Sequence, residues 1–190
     1  RRHHDRHPAR SRNPERGKNL VPVVTIFGSS QAKEGETDYE SARTLGRKLA
    51  EAGYTICNGG YGGTMEATAR GAKEGGGQTI GVTTEDFGGP ANRWIDKEIR
   101  KKKWRERLFK LIELGDAYVV LDGGTGTLVE LFTVWEMSNK KFTQKPVVIL
   151  GHQSQDLVNR IRKFPHVINS SNLFFARTVE KVLKRLELLH

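Results

Sequence analysis

Three short segments rich in glycine, serine and threonine each follow an apolar run. They read GSS at 28–30, GGYGGT at 59–64 and GGTGT at 123–127. A turn of this kind at a helix N-terminus presents free backbone N–H groups, and the helix dipole adds about half a positive charge, so it binds anions. The loops therefore predict a phosphate or nucleotide site, the alternative being that they merely connect elements. The predicted binding residues are Gly28, Ser29, Ser30, Gly60, Gly62, Gly63, Gly123, Gly124, Thr125, Gly126 and Thr127.

Neither of the two common nucleotide-binding motifs is present. A P-loop requires GxxxxGK[ST] and the dinucleotide fingerprint requires GxGxxG, and neither pattern occurs. Glu85 follows the second loop at roughly the spacing of a ribose-binding acid, but the chain leaves no length for a separate substrate domain. A dehydrogenase is therefore disfavoured.

Glu130 ends the stretch DGGTGTLVE, residues 122–130. If a helix begins near Thr125, Glu130 falls in its second turn, and its side chain leans towards the helix N-terminus. The carboxylate would then lie beside a ligand whose phosphate rests on the loop, where ribose hydroxyls would suit it. The alternative is a surface glutamate that is stabilised by the helix dipole.

Apolar runs alternate with segments of helical spacing along most of the chain. The predicted strands cover about 20–27, 54–57, 78–82, 117–121 and 146–150. The predicted helices cover about 39–52, 64–73, 125–138, 155–163 and 178–189, and residues 91–115 are interpreted as polar, then basic and helical. This order predicts an α/β, Rossmann-like three-layer domain with a mainly parallel sheet and helices on both faces. Right-handed crossovers place the glycine-rich loops at the carboxyl edge of that sheet.

The composition excludes several classes of protein. The chain has 190 residues, a net charge of +10 and one cysteine, Cys57. No apolar run approaches the roughly 20 residues of a membrane helix, no signal peptide is visible, and a disulfide framework or a four-cysteine zinc site is impossible. We therefore expect a cytoplasmic protein without a metal site.

The first 18 residues differ in composition from the rest. They are rich in arginine and contain no aromatic residue, so we interpret 1–18 as a disordered tail and 19–190 as a single nucleotide-binding domain. The alternative is an arm for nucleic acid or acidic partners, but nucleic acid is disfavoured because no aromatic ring interleaves the charges.

The sequence resembles the LOG (Lonely Guy) family of cytokinin riboside 5′-monophosphate phosphoribohydrolases over about residues 20–150. The family motif PGGxGTxxE corresponds to DGGTGTLVE, while IFGSS and NGGYGGTMEA resemble the first and second family loops. Aligning LIELGDAYVVLDGG with the family places its catalytic arginine at Arg107 and its motif glutamate at Glu130. The second loop is most similar to that of the broad prokaryotic branch.

Four positions depart from the family pattern. Asp122 replaces the motif proline, and Val129 replaces a frequent acid. Leu108 replaces a lysine of the plant-type members, and Glu136 stands where those members have a substrate-contacting threonine. These departures leave the preferred base open.

The resemblance implies hydrolysis of the N-glycosidic bond of a nucleoside 5′-monophosphate such as AMP, giving a free base and ribose 5-phosphate. It implies that Glu130 acts at the ribose and that Arg107 orients this carboxylate or the ligand, without a cofactor. The alternative is a non-catalytic nucleotide or molybdenum-cofactor carrier on the same fold. A lysine decarboxylase, a name also given to such proteins, is rejected because no lysine lies in a recognisable pyridoxal phosphate motif.

The segment after the motif is apolar around most of its helical circumference. Its apolar residues are Leu128, Leu131, Phe132, Val134, Trp135 and Met137. Family members dimerise through this region, so the resemblance implies a homodimer or a higher homo-oligomer. The alternative is a helix buried within the monomer.

Overall fold

The apolar runs form a seven-stranded sheet in the computed structural model, which describes residues 21–187. The strands are β1 (Val23–Phe27), β2 (Thr55–Asn58), β3 (Thr79–Thr84), β4 (Lys97–Lys101), β5 (Ala117–Val120), β6 (Val147–Ile149) and β7 (Leu173–Phe175). The helices are α1 (Thr37–Glu51), α2 (Thr64–Glu74), α3 (Trp104–Leu114), α4 (Thr125–Asn139), α5 (His152–Ile161) and α6 (Val179–Leu186). Every pair of neighbouring strands is parallel.

The order of the strands creates a crevice at one edge of the sheet. They lie in the order β4-β3-β2-β1-β5-β6-β7. Strands β2, β3 and β4 lie in succession on one side of β1. Strand β5 lies on the other side of β1, where Phe27 pairs with Val120. The connections that leave β1 and β5 lead to helices on opposite faces, so a crevice opens where these two strands end.

Helices cover both faces of the sheet, each over its own apolar cluster. The first cluster packs α1, α2 and α6 on one face, with Leu45, Ala67 and Val182 among its buried residues. The second packs α3, α4 and α5 on the other face, with Leu111 and Leu131 among its buried residues. The predicted three-layer α/β fold with a parallel sheet is therefore confirmed.

The interpretation of residues 91–115 as basic and helical is wrong for 97–101, which form the edge strand β4. Their sequence KEIRK lacks the apolar residues of the central strands because an edge strand leaves most of its side chains in solvent. Charged side chains on such an edge also discourage pairing with another chain. The strand β7 was not predicted either, because its apolar run of three residues, LFF, is too short to distinguish a strand from a loop.

The other predicted strands and helices are confirmed to within a few residues at their ends. The predicted tail, residues 1–18, lies outside the described residues. The domain boundary at residue 19 therefore stays a prediction.

Candidate functional site

A cleft of about 320 Å³ lies where β1 and β5 end, at the change of direction in the sheet. Loops from both halves of the sheet contribute to it, together with the first turns of α3 and α4. It is lined by Ile26, Phe27, Gly28, Ser29, Ser30, Gly59, Tyr61, Met65, Phe87, Gly88, Arg107, Gly124, Gly126, Thr127 and Glu130. The space matches the lower end of the range of small-molecule sites.

Arg107 enters the cleft from the first turn of α3 and is only 6% exposed. Its Nε donates a hydrogen bond to the carbonyl of Val82 at 2.7 Å, and its Nη2 donates to the carbonyl of Gly59 at 3.1 Å. Its guanidinium carbon lies 5.5 Å from the centre of the Tyr61 ring. Burial lowers the pKa of Arg107 while nearby Glu130 opposes the shift, and the guanidinium remains a cation.

Gly59 provides the space that this guanidinium occupies. A Cβ at residue 59 would lie 1.9 Å from Nη2 of Arg107 and 2.5 Å from the sulfur of Met65. Any side chain at this position would therefore displace the guanidinium.

Glu130 faces Arg107 from the second turn of α4, as its spacing from the helix start predicts. Its side chain is 14% exposed, and Oε1 lies 3.9 Å from Nη1 of Arg107. Burial raises the pKa of Glu130 to about 7, against the lowering effect of Arg107. A carboxyl group with such a pKa exchanges its proton near neutral pH, as a general acid or base requires.

The N-terminus of α4 is open towards the cleft. The helix has no side-chain cap, and its first backbone bond runs from Leu128 N to Gly124 O at 3.1 Å. Within residues 21–187, the N–H groups of Thr125, Gly126 and Thr127 donate to no group. A Cβ at Gly124 or Gly126 would meet nothing within 4 Å, so the backbone here is accessible to a ligand. Unpaired amides at a helix N-terminus suit an anion.

The structure brings the predicted catalytic pair and part of the predicted loops together in this cleft. The lining includes Arg107, Glu130, Gly28, Ser29, Ser30, Gly124, Gly126 and Thr127. It does not include Gly60, Gly62, Gly63, Gly123 or Thr125.

Two of the glycines outside the lining let separate loops approach one another. Gly63 has φ +68°, and a Cβ there would lie 2.2 Å from the carbonyl oxygen of Ser29. A Cβ at Gly123 would lie 2.2 Å from Oγ1 of Thr127 and 3.1 Å from the backbone nitrogen of Ser29. The loop 28–30 therefore packs against both other glycine-rich loops, which gathers the polar part of the cleft.

Several lining residues are absent from the sequence prediction. They are Ile26, Phe27, Gly59, Tyr61, Met65, Phe87 and Gly88. Gly59 and Tyr61 lie within the predicted second loop, so their position in the sequence could have indicated that they line the cleft. Phe87 follows β3 in a segment without a motif, and nothing in the local sequence marks it.

Three of the departures from the family pattern lie away from the cleft. Asp122 Oδ1 accepts a hydrogen bond from Ser154 N at 2.8 Å, so it caps α5. Leu108 is 7% exposed within the core under α3. The side chain of Glu136 is 60% exposed and pairs with Lys140 at 3.5 Å. None of the three contributes to the lining.

Within the part of the chain that the structure describes, no helix is long and apolar enough to cross a bilayer. The same residues contain no group of three or more His, Cys, Asp and Glu side chains that could hold a metal ion.

The fold and the cleft define a Rossmann-like α/β protein with a cleft at the switch point of a parallel sheet. The chain belongs to the SLOG cluster4 family, whose family model matches residues 21–182. The resemblance to LOG proteins inferred from the motifs is thereby confirmed.

Relatives with an assigned activity share about two thirds of the chain. A cytokinin riboside 5′-monophosphate phosphoribohydrolase of Rhodococcoides fascians is 30% identical over 132 residues, which is 67% of this chain and 67% of that protein. The enzyme of the same name from Mycobacterium tuberculosis is 33% identical over 136 residues, 68% of this chain and 72% of that protein.

Among solved structures, the molybdenum cofactor binding protein of Rippkaea orientalis superposes with a TM-score of 0.73. The match covers 90% of this chain and 98% of that chain at 24% identity. At this identity the likeness shows a shared fold.

Proposed function

We propose that this protein hydrolyses the N-glycosidic bond of nucleoside 5′-monophosphates to a free base and ribose 5-phosphate. The observation that carries the proposal is the buried Arg107–Glu130 pair, 3.9 Å apart, in the same cleft as the unpaired N-terminal amides of α4. The names of the relatives from Rhodococcoides fascians and Mycobacterium tuberculosis support the same activity.

The cleft offers a group for each part of such a substrate. The 5′-phosphate would bind the amides of α4 with Ser29, Ser30 and Thr127, where the helix dipole favours an anion. The ribose would then lie over Glu130, one helical turn further along α4. This places the carboxylate beside the anomeric carbon, where positive charge develops as the bond to the base breaks.

The chemistry follows from that placement. The C1′–N bond breaks with its electron pair leaving on the base, and the oxygen of a water molecule adds to C1′. Glu130, as a carboxylate, stabilises the oxocarbenium-like sugar, accepts a proton from the water and then releases it to solvent. The departing base takes up a proton from solvent, so the protons balance. Arg107 favours the ionised form of Glu130, because its positive charge opposes the rise in pKa that burial causes.

The test compares Glu130 with a glutamate of the helix that carries Arg107. Glu130→Gln and Arg107→Ala should each reduce base release from AMP by about 10³-fold or more. Glu113→Gln, at an exposed position of α3, should keep wild-type turnover. Release of adenine would be followed by chromatography, and circular dichroism would verify folding. Wild-type turnover in either of the first two variants would refute the proposal.

A carrier function is the second candidate, because the Rippkaea orientalis neighbour is named as a molybdenum cofactor binding protein. A carrier would bind its ligand in the same cleft without cleaving it. Tight binding of nucleotides or of a pterin-based cofactor by wild-type protein that releases no base from any nucleoside monophosphate would favour this candidate.

We also propose that the protein forms a homodimer through α4. One face of the helix is core, since Leu131, Val134 and Trp135 are buried. Val129 on the remaining surface is 37% exposed. Phe132 and Met137 also pack against this core, so the alternative stays a helix whose apolar residues belong to the core of the monomer.

A further inference from the structure

We infer that Phe87 and Tyr61 form an aromatic platform that binds the flat ring of the nucleobase by stacking, without reading the polar groups on its edge. This inference rests on the proposed function. In this proposal the cleft distinguishes substrates by the area of the planar ring of their base.

Phe87 lines the cleft and yet is 57% exposed. Its ring centre lies 6.0 Å from that of Tyr61 with the planes inclined at 55°, and 5.6 Å from the guanidinium carbon of Arg107. Water contact with a phenylalanine ring is unfavourable, and a ligand that covers it recovers that free energy. A planar base is such a ligand, and it adds a stacking interaction.

The polar atom of Tyr61 is not free to recognise a base. Its hydroxyl donates to the carbonyl of Thr84 at 3.1 Å and accepts from the amide of the same residue at 3.0 Å. These bonds fix the ring and leave its carbon surface as the part offered to a ligand. The neighbouring lining residue Met65 contributes a thioether, which is at most a weak acceptor.

The polar side chains of the cleft gather elsewhere. Ser29 packs against the loop that begins α4, since a Cβ on Gly123 would come within 3.1 Å of its backbone nitrogen. Thr127 belongs to the same first turn. Glu130 follows Thr127 along α4 and lies 3.9 Å from Arg107, whose guanidinium carbon lies 5.6 Å from the centre of the Phe87 ring. These contacts place the α4 amides, the Arg107–Glu130 pair and Phe87 in the order that a phosphate, a sugar and a base require.

The backbone around Phe87 ties the platform to the helix that carries Arg107. Asp86 Oδ2 accepts a hydrogen bond from the amide of Trp104, the first residue of α3, at 2.7 Å. Gly88 and Gly89, with φ +69° and +71°, turn the chain away directly after the ring. Asp86, the residue before Phe87, thus holds the Phe87 ring beside the guanidinium of Arg107.

The experiment compares ligands with and without a base. In Phe87→Ala, KM for AMP and GMP should rise about tenfold, with a smaller change in kcat, because one stacking contact is lost. Phe87→Trp should restore wild-type KM. Affinity for ribose 5-phosphate, measured by isothermal titration calorimetry, should stay within about twofold in both variants, since this ligand lacks the base. Phe164→Ala, an exposed phenylalanine outside the cleft, is the matched control.

Base selectivity provides the second measurement. Wild-type protein should treat AMP, GMP and IMP alike within about threefold and bind CMP and UMP more weakly, because a pyrimidine offers less stacking area. A large preference between AMP and GMP, an unchanged KM in Phe87→Ala, or an equal loss of ribose 5-phosphate affinity would overturn the platform.

The same titrations separate the two proposals. If wild-type protein binds AMP but releases no adenine, the hydrolase proposal fails. The platform then stands if Phe87→Ala weakens AMP binding and leaves ribose 5-phosphate binding intact, and falls if both affinities stay unchanged.

Discussion

Glu130 and Arg107 are both withdrawn from water, but their charged atoms lie 3.9 Å apart, too far for a hydrogen bond. The guanidinium is fixed before any ligand enters, because it donates to the carbonyls of Val82 and Gly59. The carboxylate has no equivalent support within residues 21–187, and burial raises its pKa to about 7. Glu130 therefore destabilises the folded protein when ionised, and hydroxyl groups of a bound ribose would offset that cost.

This cost predicts that Glu130→Gln is more stable than wild type at alkaline pH. The carboxyl pKa is 4.5 in the unfolded chain and about 7 in the folded protein, so ionisation favours unfolding as pH rises through that window. Glutamine has no such penalty. Urea denaturation at about pH 8 should give the variant a free energy of unfolding higher by about 3 kcal/mol.

The advantage should shrink as the pH falls and vanish below about pH 4.5, where the carboxyl becomes protonated in the unfolded chain as well as in the folded protein. Glu136→Gln serves as the control, because its salt bridge to Lys140 is exposed and contributes less than about 1 kcal/mol at any pH. A Glu130→Gln variant that is less stable than wild type at alkaline pH would show that the carboxylate is supported by contacts other than Arg107.

Sequence and structure differ most in what they reveal about single residues. The position of Glu130 follows from its distance to a predicted helix start. Arg107 is one of several basic residues before β5, and only the family alignment distinguishes it; its burial depends on the carbonyls of β3 and of the second loop. Phe87 lies beside Tyr61 because separate loops meet, and no local pattern encodes such a contact.

At the scale of elements, the second glycine-rich loop decides where Arg107 lies. Gly59→Ala should reduce base release from AMP by about 100-fold, because the new methyl group would displace a guanidinium whose Nη2 lies 1.9 Å from the ideal Cβ position. The end of a side chain moves more easily than a backbone, so the fold should persist with a loss of about 1 to 3 kcal/mol in urea denaturation.

Gly62→Ala is the matched control in the same loop. The nearest atom to a Cβ there is 3.8 Å away, and residue 62 does not line the cleft. Its activity should equal that of wild type, and its stability should differ by less than about 0.5 kcal/mol. Equal loss in both variants would mean that the loop tolerates no side chain for reasons unrelated to Arg107.

The elements themselves were predictable where burial dominates the sequence. The central strands β1, β5 and β6 are apolar because both faces are covered, and the helices show apolar stripes that match their buried residues. The edge strand β4 was not predictable, because it is defined by its pairing with β3 and its side chains show no apolar pattern. The role of Asp122 at α5 was equally hidden, because Ser154 lies far along the chain.

At the scale of the whole molecule, α4 links the cleft to the protein surface. The same helix offers its N-terminus and Glu130 to the cleft, packs Leu131 and Val134 into the core, and leaves Val129 partly in solvent. Contact between two copies of α4 would cover this surface and hold the helix that carries Glu130. The proposed dimer would thereby stabilise the site without supplying a catalytic group.

Sedimentation equilibrium tests this arrangement. Wild-type protein should have twice the 21.4 kDa mass of the chain, and Val129→Lys should weaken association by more than about tenfold, because a lysine would place an unpaired charge in an apolar contact. Val21→Lys, the same substitution at an exposed valine before β1, should leave the dimer intact. A monomeric wild-type protein, or a Val129→Lys variant that associates as tightly as wild type, would contradict the proposed dimer. If the protein is monomeric, the rate of base release per chain should not depend on protein concentration.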